Sequence, residues 1–169
     1  MFHDAAEFGF TEILEAHWQQ IRDEYHGIRD RLVDWHETDL YGHGWSVFGL
    51  FDFPHGTPIT ENMAACPVTA SLIEQHVPGH GAAGFSMLAA GTRVRPHQGY
   101  AGPFLRCHLA LSVPDGDVGL RVGSHTQRWT EGRVLIFDDR VDHEAWNLAT
   151  GRPADRVVLL IDFIPSATD

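Results

Sequence analysis

The sequence predicts a mainly β protein: a compact antiparallel sandwich or barrel, of which the jelly roll is one form, with helices flanking its N-terminal side. Three observations carry this. After "PGHGAAG" the chain breaks into short β-like runs, "FSMLAAG", "FLRCHLALSV", "VGLRVG", "GRVLIFDD" and "RVVLLIDFI", punctuated by Gly, Pro and Asp. The last run is apolar almost throughout, as a strand covered on both faces must be. Only the segments before these runs carry helical periodicity, an order of elements that leads to a layered β core with helices to one side.

Taken in chain order, Ile13, Leu14, Trp18, Ile21, Tyr25 and Ile28 recur three, four and five apart. This predicts one amphipathic packing helix over 11–28. "YGHGWSVFGLF" follows, where Trp45, Val47 and Gly49 alternate with Ser46, Phe48 and Leu50 as on a strand. "FDFPHGTPITEN" is expected to be a loop over the mouth of the barrel. "CPVTASLIEQH" predicts a second, short helix with Pro67 at its first position and its end before Pro78. A chain of 169 residues, 43% hydrophobic, is one domain's worth of core, and a single domain is expected over 1–169.

Composition excludes several classes of partner. Twelve Lys+Arg against 23 Asp+Glu give a formal charge of −11, which repels phosphate backbones and anionic membrane surfaces. Nucleic acid and membrane are therefore not expected partners. "MFHDAAEFGF" lacks the basic and apolar regions of a signal peptide, so a cytoplasmic location is expected. Cys66 and Cys107 show no CxxC spacing and read as free thiols without a catalytic role.

The chemistry concentrates in "RPHQGYAGPFLRCHLAL" and "FDDRVDHEAWN". Strand alternation puts Arg106, His108, Ala110 and Ser112 on one face of "FLRCHLALSV" and the apolar residues on the other. The Arg106–His108 face lines either solvent or the barrel mouth, where a guanidinium and an imidazole suit an anion. Arg156 opens the apolar strand whose Arg156, Val158, Leu160 and Asp162 share a face, either as a rim charge or as an anion ligand. Among 12 histidines, His97 and His143 stand at strand edges near the expected mouth. Two imidazoles from separate strands suit a borderline divalent metal such as Fe(II), Zn(II), Ni(II) or Cu(II), and spacing does not choose among these.

In order, the motifs "CPVT", "FSML", "RPHQG", "LRCHLAL" followed by "VP", "RVG", and the long stretch from Trp129 through "FDD" to "HEAWN" resemble the aspartyl/asparaginyl β-hydroxylase family of Fe(II)- and 2-oxoglutarate-dependent dioxygenases. The resemblance runs from about Trp45 to Pro165. It implies a double-stranded β-helix, a jelly-roll or cupin-like core, behind N-terminal helices. It also implies that His97 and His143 bind iron. Gly99 stands two residues after the first histidine, where related oxygenases hold a carboxylate, so water is expected to complete the site. Arg106 and His108 are expected against the metal-chelating end of 2-oxoglutarate, Arg156 and Ser86 at its distal carboxylate, and Trp45 on the wall of the same pocket. Arg121 and Trp129 read as structural, Asp138 and Asp139 of "FDD" as turn-capping acids, and neither these nor the nearby Asp142 is expected to bind the metal.

The implied reaction is hydroxylation of an unactivated C–H of a small molecule or amino-acid side chain, free or tethered, consuming O2 and releasing succinate and CO2. Two alternatives stay open: a halogenase using the same cofactors, since glycine leaves room for halide, and a barrel that binds metal or dicarboxylate without turnover.

Overall fold

The computed structural model describes residues 1–166; the last three positions of the expected domain lie outside the described residues. Twelve strands occur in it: β1 (Phe2–His3), β2 (Val33–Asp34), β3 (Trp45–Asp52), β4 (Thr57–Pro58), β5 (Ala83–Leu88), β6 (Thr92–His97), β7 (Leu105–Ser112), β8 (Val118–Val122), β9 (His125–Gln127), β10 (Val134–Phe137), β11 (His143–Asn147) and β12 (Arg156–Phe163). They form two antiparallel sheets. The eight-stranded major sheet runs β1-β10-β7-β12-β5-β3-β2 with β4 hydrogen-bonded to β3, and the four-stranded minor sheet runs β6-β11-β8-β9. This is the expected mainly β jelly-roll architecture.

Alternation sorts each strand's residues between two cores. Leu105, Cys107, Leu109 and Leu111 of β7 join Val157, Leu159, Ile161 and Phe163 of β12 beneath the helices. Ala110 and Val158, from the opposite faces of the same strands, pack between the sheets with Val118, Leu120, Val122 and Trp129. The near-continuous apolar run of β12 is thus explained by burial on both sides. Leu109, Leu159, Phe85 and Ile21 are fully buried, each stabilising the fold by roughly 1.5–3 kcal/mol.

The helical layer is α1 (Phe10–Ala16), α2 (Trp18–Ile28), α3 (Thr60–Ala65) and α4 (Pro67–His76). The single helix expected over 11–28 is broken at His17, which leaves helical geometry at φ −109°, ψ 10° while its ring nitrogen Nδ1 bonds the Ile13 carbonyl at 2.8 Å. The break lets Leu14 of α1 and Ile21, Tyr25 and Ile28 of α2 all reach one core. α4 begins at Pro67 as expected, and its free N-terminal amides are capped from another helix. Glu24 of α2 accepts from the amides of Val68 at 3.0 Å and Thr69 at 2.7 Å. The stretch expected as a loop instead supplies β4 and the start of α3, with Asn62 Nδ2 donating to the Gly49 carbonyl at 2.8 Å. Cys66 and Cys107 are free and buried, and no helix among the described residues is long and apolar enough to cross a membrane.

Candidate active site

The two histidines meet because of an irregularity in β6. Strict alternation from the buried Val94 would turn His97 outward, with Arg93 and Arg95. His143 pairs with His97 and Ala145 with Val94, so Arg95 and Pro96 together oppose the single residue Glu144. This β-bulge re-aims His97 into the space between the sheets. Its ring lies 4.3 Å from that of His143, centroid to centroid.

Each ring is oriented from behind by the carbonyl two residues earlier: His97 Nδ1 to Arg95 O at 2.7 Å, and His143 Nδ1 to Val141 O at 2.9 Å. A carbonyl only accepts, so both Nδ1 atoms carry a proton and each ring is left with Nε2 as the nitrogen it can offer a metal. His143 is 5% exposed. Burial first, then the neighbouring His97 and Arg106, push its pKa down to about 4, so it is neutral at ordinary pH. Among the described residues no group of three or more His, Cys, Asp or Glu is placed to share a metal ion.

Behind the pair lies a cavity walled by Trp45, Ser86, His97, His108, His143 and Arg156, among others. Arg156 is 2% exposed, so it is not a rim charge. Its guanidinium lies 4.8 Å from the centroid of the Trp129 ring, Nη2 reaches Ser86 Oγ at 3.4 Å, and Nε has no partner. Burial drives its pKa downward, but a guanidinium keeps its proton in proteins. What results is a buried cation short of an anion. Trp129 Nε1 donates to His108 Nδ1 at 3.2 Å, which places the His108 proton on Nε2, and that donor is also buried and unpartnered. Burial, followed by Arg156 and Arg106, holds His108 well below its ordinary pKa and therefore neutral. Two orphaned donors in one cavity describe a receptor for an acceptor-rich anion. Ser86 Oγ also receives the Trp45 indole N–H at 3.0 Å.

Of the residues singled out from sequence, Trp45, Ser86, His97, His108, His143 and Arg156 come together on this cavity, and Arg106 does not. Arg106 shares the inner face with His108, but Asp162 is its partner across the ladder. It donates to the two Asp162 carboxylate oxygens at 2.7 and 2.9 Å and lies 3.1 Å from Asp139. Burial opposes its charge, but the two carboxylates outweigh burial and hold its pKa up. It faces the adjoining cavity instead.

Two residues that sequence reasoning undervalued belong here. Trp129 fixes the His108 tautomer and underlies Arg156. Asp139 is buried against Arg106, unlike Asp138, which does cap a turn by accepting from the Arg140 amide. Asp142 pairs with Arg121, which also grips Glu144 at 2.7 Å and straps β8 to the strand bearing His143. The charged "DD" pair carried no signal that one acid faces inward, because β10 ends at Phe137 and alternation stops there.

The jelly roll thus brings two facing histidines and two unpartnered buried donors, Arg156 Nε and His108 Nε2, together between its sheets. The family model described as aspartyl/asparaginyl beta-hydroxylase matches residues 15–165, and the chain belongs to that family. An ornithine lipid ester-linked acyl 2-hydroxylase of Rhizobium tropici is 38% identical over 122 residues, covering 71% of this chain and 41% of that protein. The human aspartyl/asparaginyl beta-hydroxylase is 34% identical over 167 residues, covering 92% of this chain and 21% of that protein. The chain therefore spans less than half the length of either relative. A Pseudomonas putida prolyl-4-hydroxylase shares the fold, with TM-score 0.52 and 18% identity over 89% of this chain and 88% of that one.

Proposed function

We propose that this chain is an Fe(II)- and 2-oxoglutarate-dependent dioxygenase that hydroxylates an unactivated C–H of a small molecule or amino-acid side chain. The observation that carries the reading is the pairing of two imidazole Nε2 atoms with the orphaned buried donors Arg156 Nε and His108 Nε2 in one cavity. The donor set fits both groups: neutral imidazoles suit ferrous iron, and a cation with a hydroxyl at one side and a neutral N–H donor at another suits a dicarboxylate.

His97 and His143 would hold the iron, and Arg156 with Ser86 the distal carboxylate of 2-oxoglutarate. His108 Nε2–H would donate toward the other end, with Trp45 as a wall. Bound together, iron and cosubstrate supply dioxygen activation: O2, 2-oxoglutarate and R–H become R–OH, succinate and CO2. The chain's own work would be to hold His143 and His108 neutral, to aim the imidazoles, to orient the cosubstrate and to keep the pocket dry. Arg106, expected against the metal end of the cosubstrate, is assigned instead to hold Asp139 and Asp162 at the junction with the neighbouring cavity.

The test is anaerobic titration of metal-free protein with Fe(II) and 2-oxoglutarate, following the visible metal-to-ligand charge-transfer band. The band is expected in wild type, lost in His97→Ala, and shifted to far higher 2-oxoglutarate in Arg156→Ala. Absence of a band in folded wild type would remove the oxygenase reading. Product mass with and without chloride separates hydroxylation from halogenation.

A further inference from the structure

Next to the cosubstrate cavity, and sharing Trp45, Ser86 and Leu160 with it, lies a larger cavity of about 270 Å³. Val47, Ile59 and Leu160 give it an apolar wall, and part of its floor is bare backbone where Gly49 and Gly84 face each other in the ladder. Phe48, Phe51 and Phe85 also border it, but their side chains are buried in the core beneath the helices. The rings left to the cavity are Trp35, Trp45 and Phe53, all half-buried. Trp35 lies 5.4 Å from Trp45 and 5.7 Å from Phe53, centroid to centroid, with Phe53 nearly perpendicular to it at 83°. Both indoles are anchored: Trp45 Nε1 donates to Ser86 Oγ and Trp35 Nε1 to Glu37 Oε2, each at 3.0 Å.

The polar groups of the lining sort by charge. Arg106, the cation among them, is matched by two carboxylates, Asp162 at 2.7 Å and Asp139 at 3.1 Å. Asn62 is anchored through Nδ2 on the Gly49 carbonyl at 2.8 Å and keeps Oδ1 as an acceptor. Asp52 is exposed, accepts from the Phe53 amide at 2.9 Å and has no ion-pair partner among the described residues. Glu37, bonded to the Trp35 ring, adds to the negative field felt at Arg106. Acids at this cavity therefore outnumber the cation, and a net charge of −11 favours the approach of cations from a distance.

Aromatic rings beside an unpaired carboxylate suit a cation, and the scarcity of acceptors selects its kind. A primary ammonium has three N–H donors to satisfy once it leaves water, and the side-chain acceptors left open here are those of Asp52 and Asn62. A quaternary ammonium has no N–H, and its charge is spread over methyl groups that pack on rings. We propose that this cavity binds a substrate carrying a quaternary ammonium group, with the cation among Trp35, Trp45 and Phe53 at the Asp52 end and the carbon to be hydroxylated at the Ser86 and Leu160 end. The assignment rests on the dioxygenase reading for the chemistry at the second end; recognition of the cation does not.

The experiment is calorimetric titration of the metal-free protein with choline, with its uncharged carbon isostere 3,3-dimethylbutan-1-ol and with ethanolamine, in wild type, Trp35→Leu and Asp52→Asn. Wild type is also titrated with Fe(II) and 2-oxoglutarate for the charge-transfer band. Choline is expected to bind wild type at least about tenfold tighter than either comparison compound. Trp35→Leu is expected to lose about tenfold in choline affinity, and Asp52→Asn about threefold with the alcohol unaffected. Asp52 is exposed and asparagine keeps its shape, so that variant reads the charge without disturbing the fold. No measurable binding of choline, an alcohol or ethanolamine bound as tightly, or a preference for choline that survives both variants unchanged overturns the proposal. A short peptide carrying trimethyllysine is titrated alongside: binding tighter than that of choline upholds the site with a tethered cation, and weaker binding upholds it with a free one. Preference for choline without a charge-transfer band upholds the cation site and removes the dioxygenase reading; a band without that preference does the reverse.

Discussion

Gly99 and Asp139 occupy a single space: a Cβ built on Gly99 would lie 2.0 Å from Asp139 Oδ2, and the Gly99 amide donates to the Asp139 carbonyl at 2.7 Å. The glycine two residues after His97 is therefore not simply a missing carboxylate. The side chain of Asp139 fills that place, held by Arg106. Gly99→Ala is expected to displace the Asp139 carboxylate and lower stability by about 1–3 kcal/mol, as overpacking does. Gly99→Asp is expected to cost at least as much and not to tighten Fe(II) binding. Thermal unfolding and Fe(II) titration of both variants check this; a Gly99→Asp protein of normal stability with tighter iron binding would contradict it.

The β6 bulge makes a prediction about backbone alone. Deleting Pro96 removes the extra residue, so that Arg95 alone opposes Glu144 and period-two alternation from Val94 keeps His97 on the inner face opposite His143. The variant is expected to retain Fe(II) binding within about tenfold of wild type, in contrast to His97→Ala. Loss as complete as in His97→Ala would show that the ring position depends on the bulge itself and not only on the face that His97 occupies.

Arg156 separates stability from function. Because its charge is buried without a carboxylate, Arg156→Met is expected to leave the ligand-free protein as stable or raise its stability by roughly 1 kcal/mol. The same change is expected to weaken 2-oxoglutarate by about 2 kcal/mol or more, at least thirtyfold. Calorimetric titration and thermal melts measure both effects on one sample. A large loss of stability would mean that the guanidinium is satisfied by the fold itself.

His108 predicts the acid limb. Burial, followed by the nearby charges of Arg156, Arg106 and His143, depresses its folded pKa below the ordinary 6.5. The unfolded chain then binds this proton first, so stability is lost as pH falls below about 6.5 toward the folded value. His108→Asn is expected to flatten that part of the stability curve of the ligand-free protein. An unchanged slope between wild type and variant would exclude His108 as a contributor.

Trp129 acts on the cavity through His108 and Arg156 rather than as part of its lining. Trp129→Phe keeps an aromatic face under Arg156 but removes the N–H that fixes the His108 tautomer. It is expected to weaken 2-oxoglutarate by about 1 kcal/mol, about fivefold, while Fe(II) binding alone is unchanged. Equal loss of both would indicate general disruption instead.

Much of this was legible in the chain itself. Alternation along β7 and β12 determined which residues face inward, because side chains two apart must share a face and one face of each strand is greasy. It put Arg106 with His108 and Arg156 with Asp162, and the ordered motifs singled out His97 and His143, whose rings the structure brings face to face. Only the tertiary structure decided the rest. The bulge at Arg95–Pro96 breaks the period that sequence reasoning relies on. The helix break at His17 depends on what α1 and α2 pack against. Arg106 is claimed by acids 33 and 56 residues away in sequence, and Asp139 faces inward from beyond the end of its strand. Local patterning specifies faces; which charges cancel and which stay unpaired in a buried site depends on partners that only the folded chain brings together.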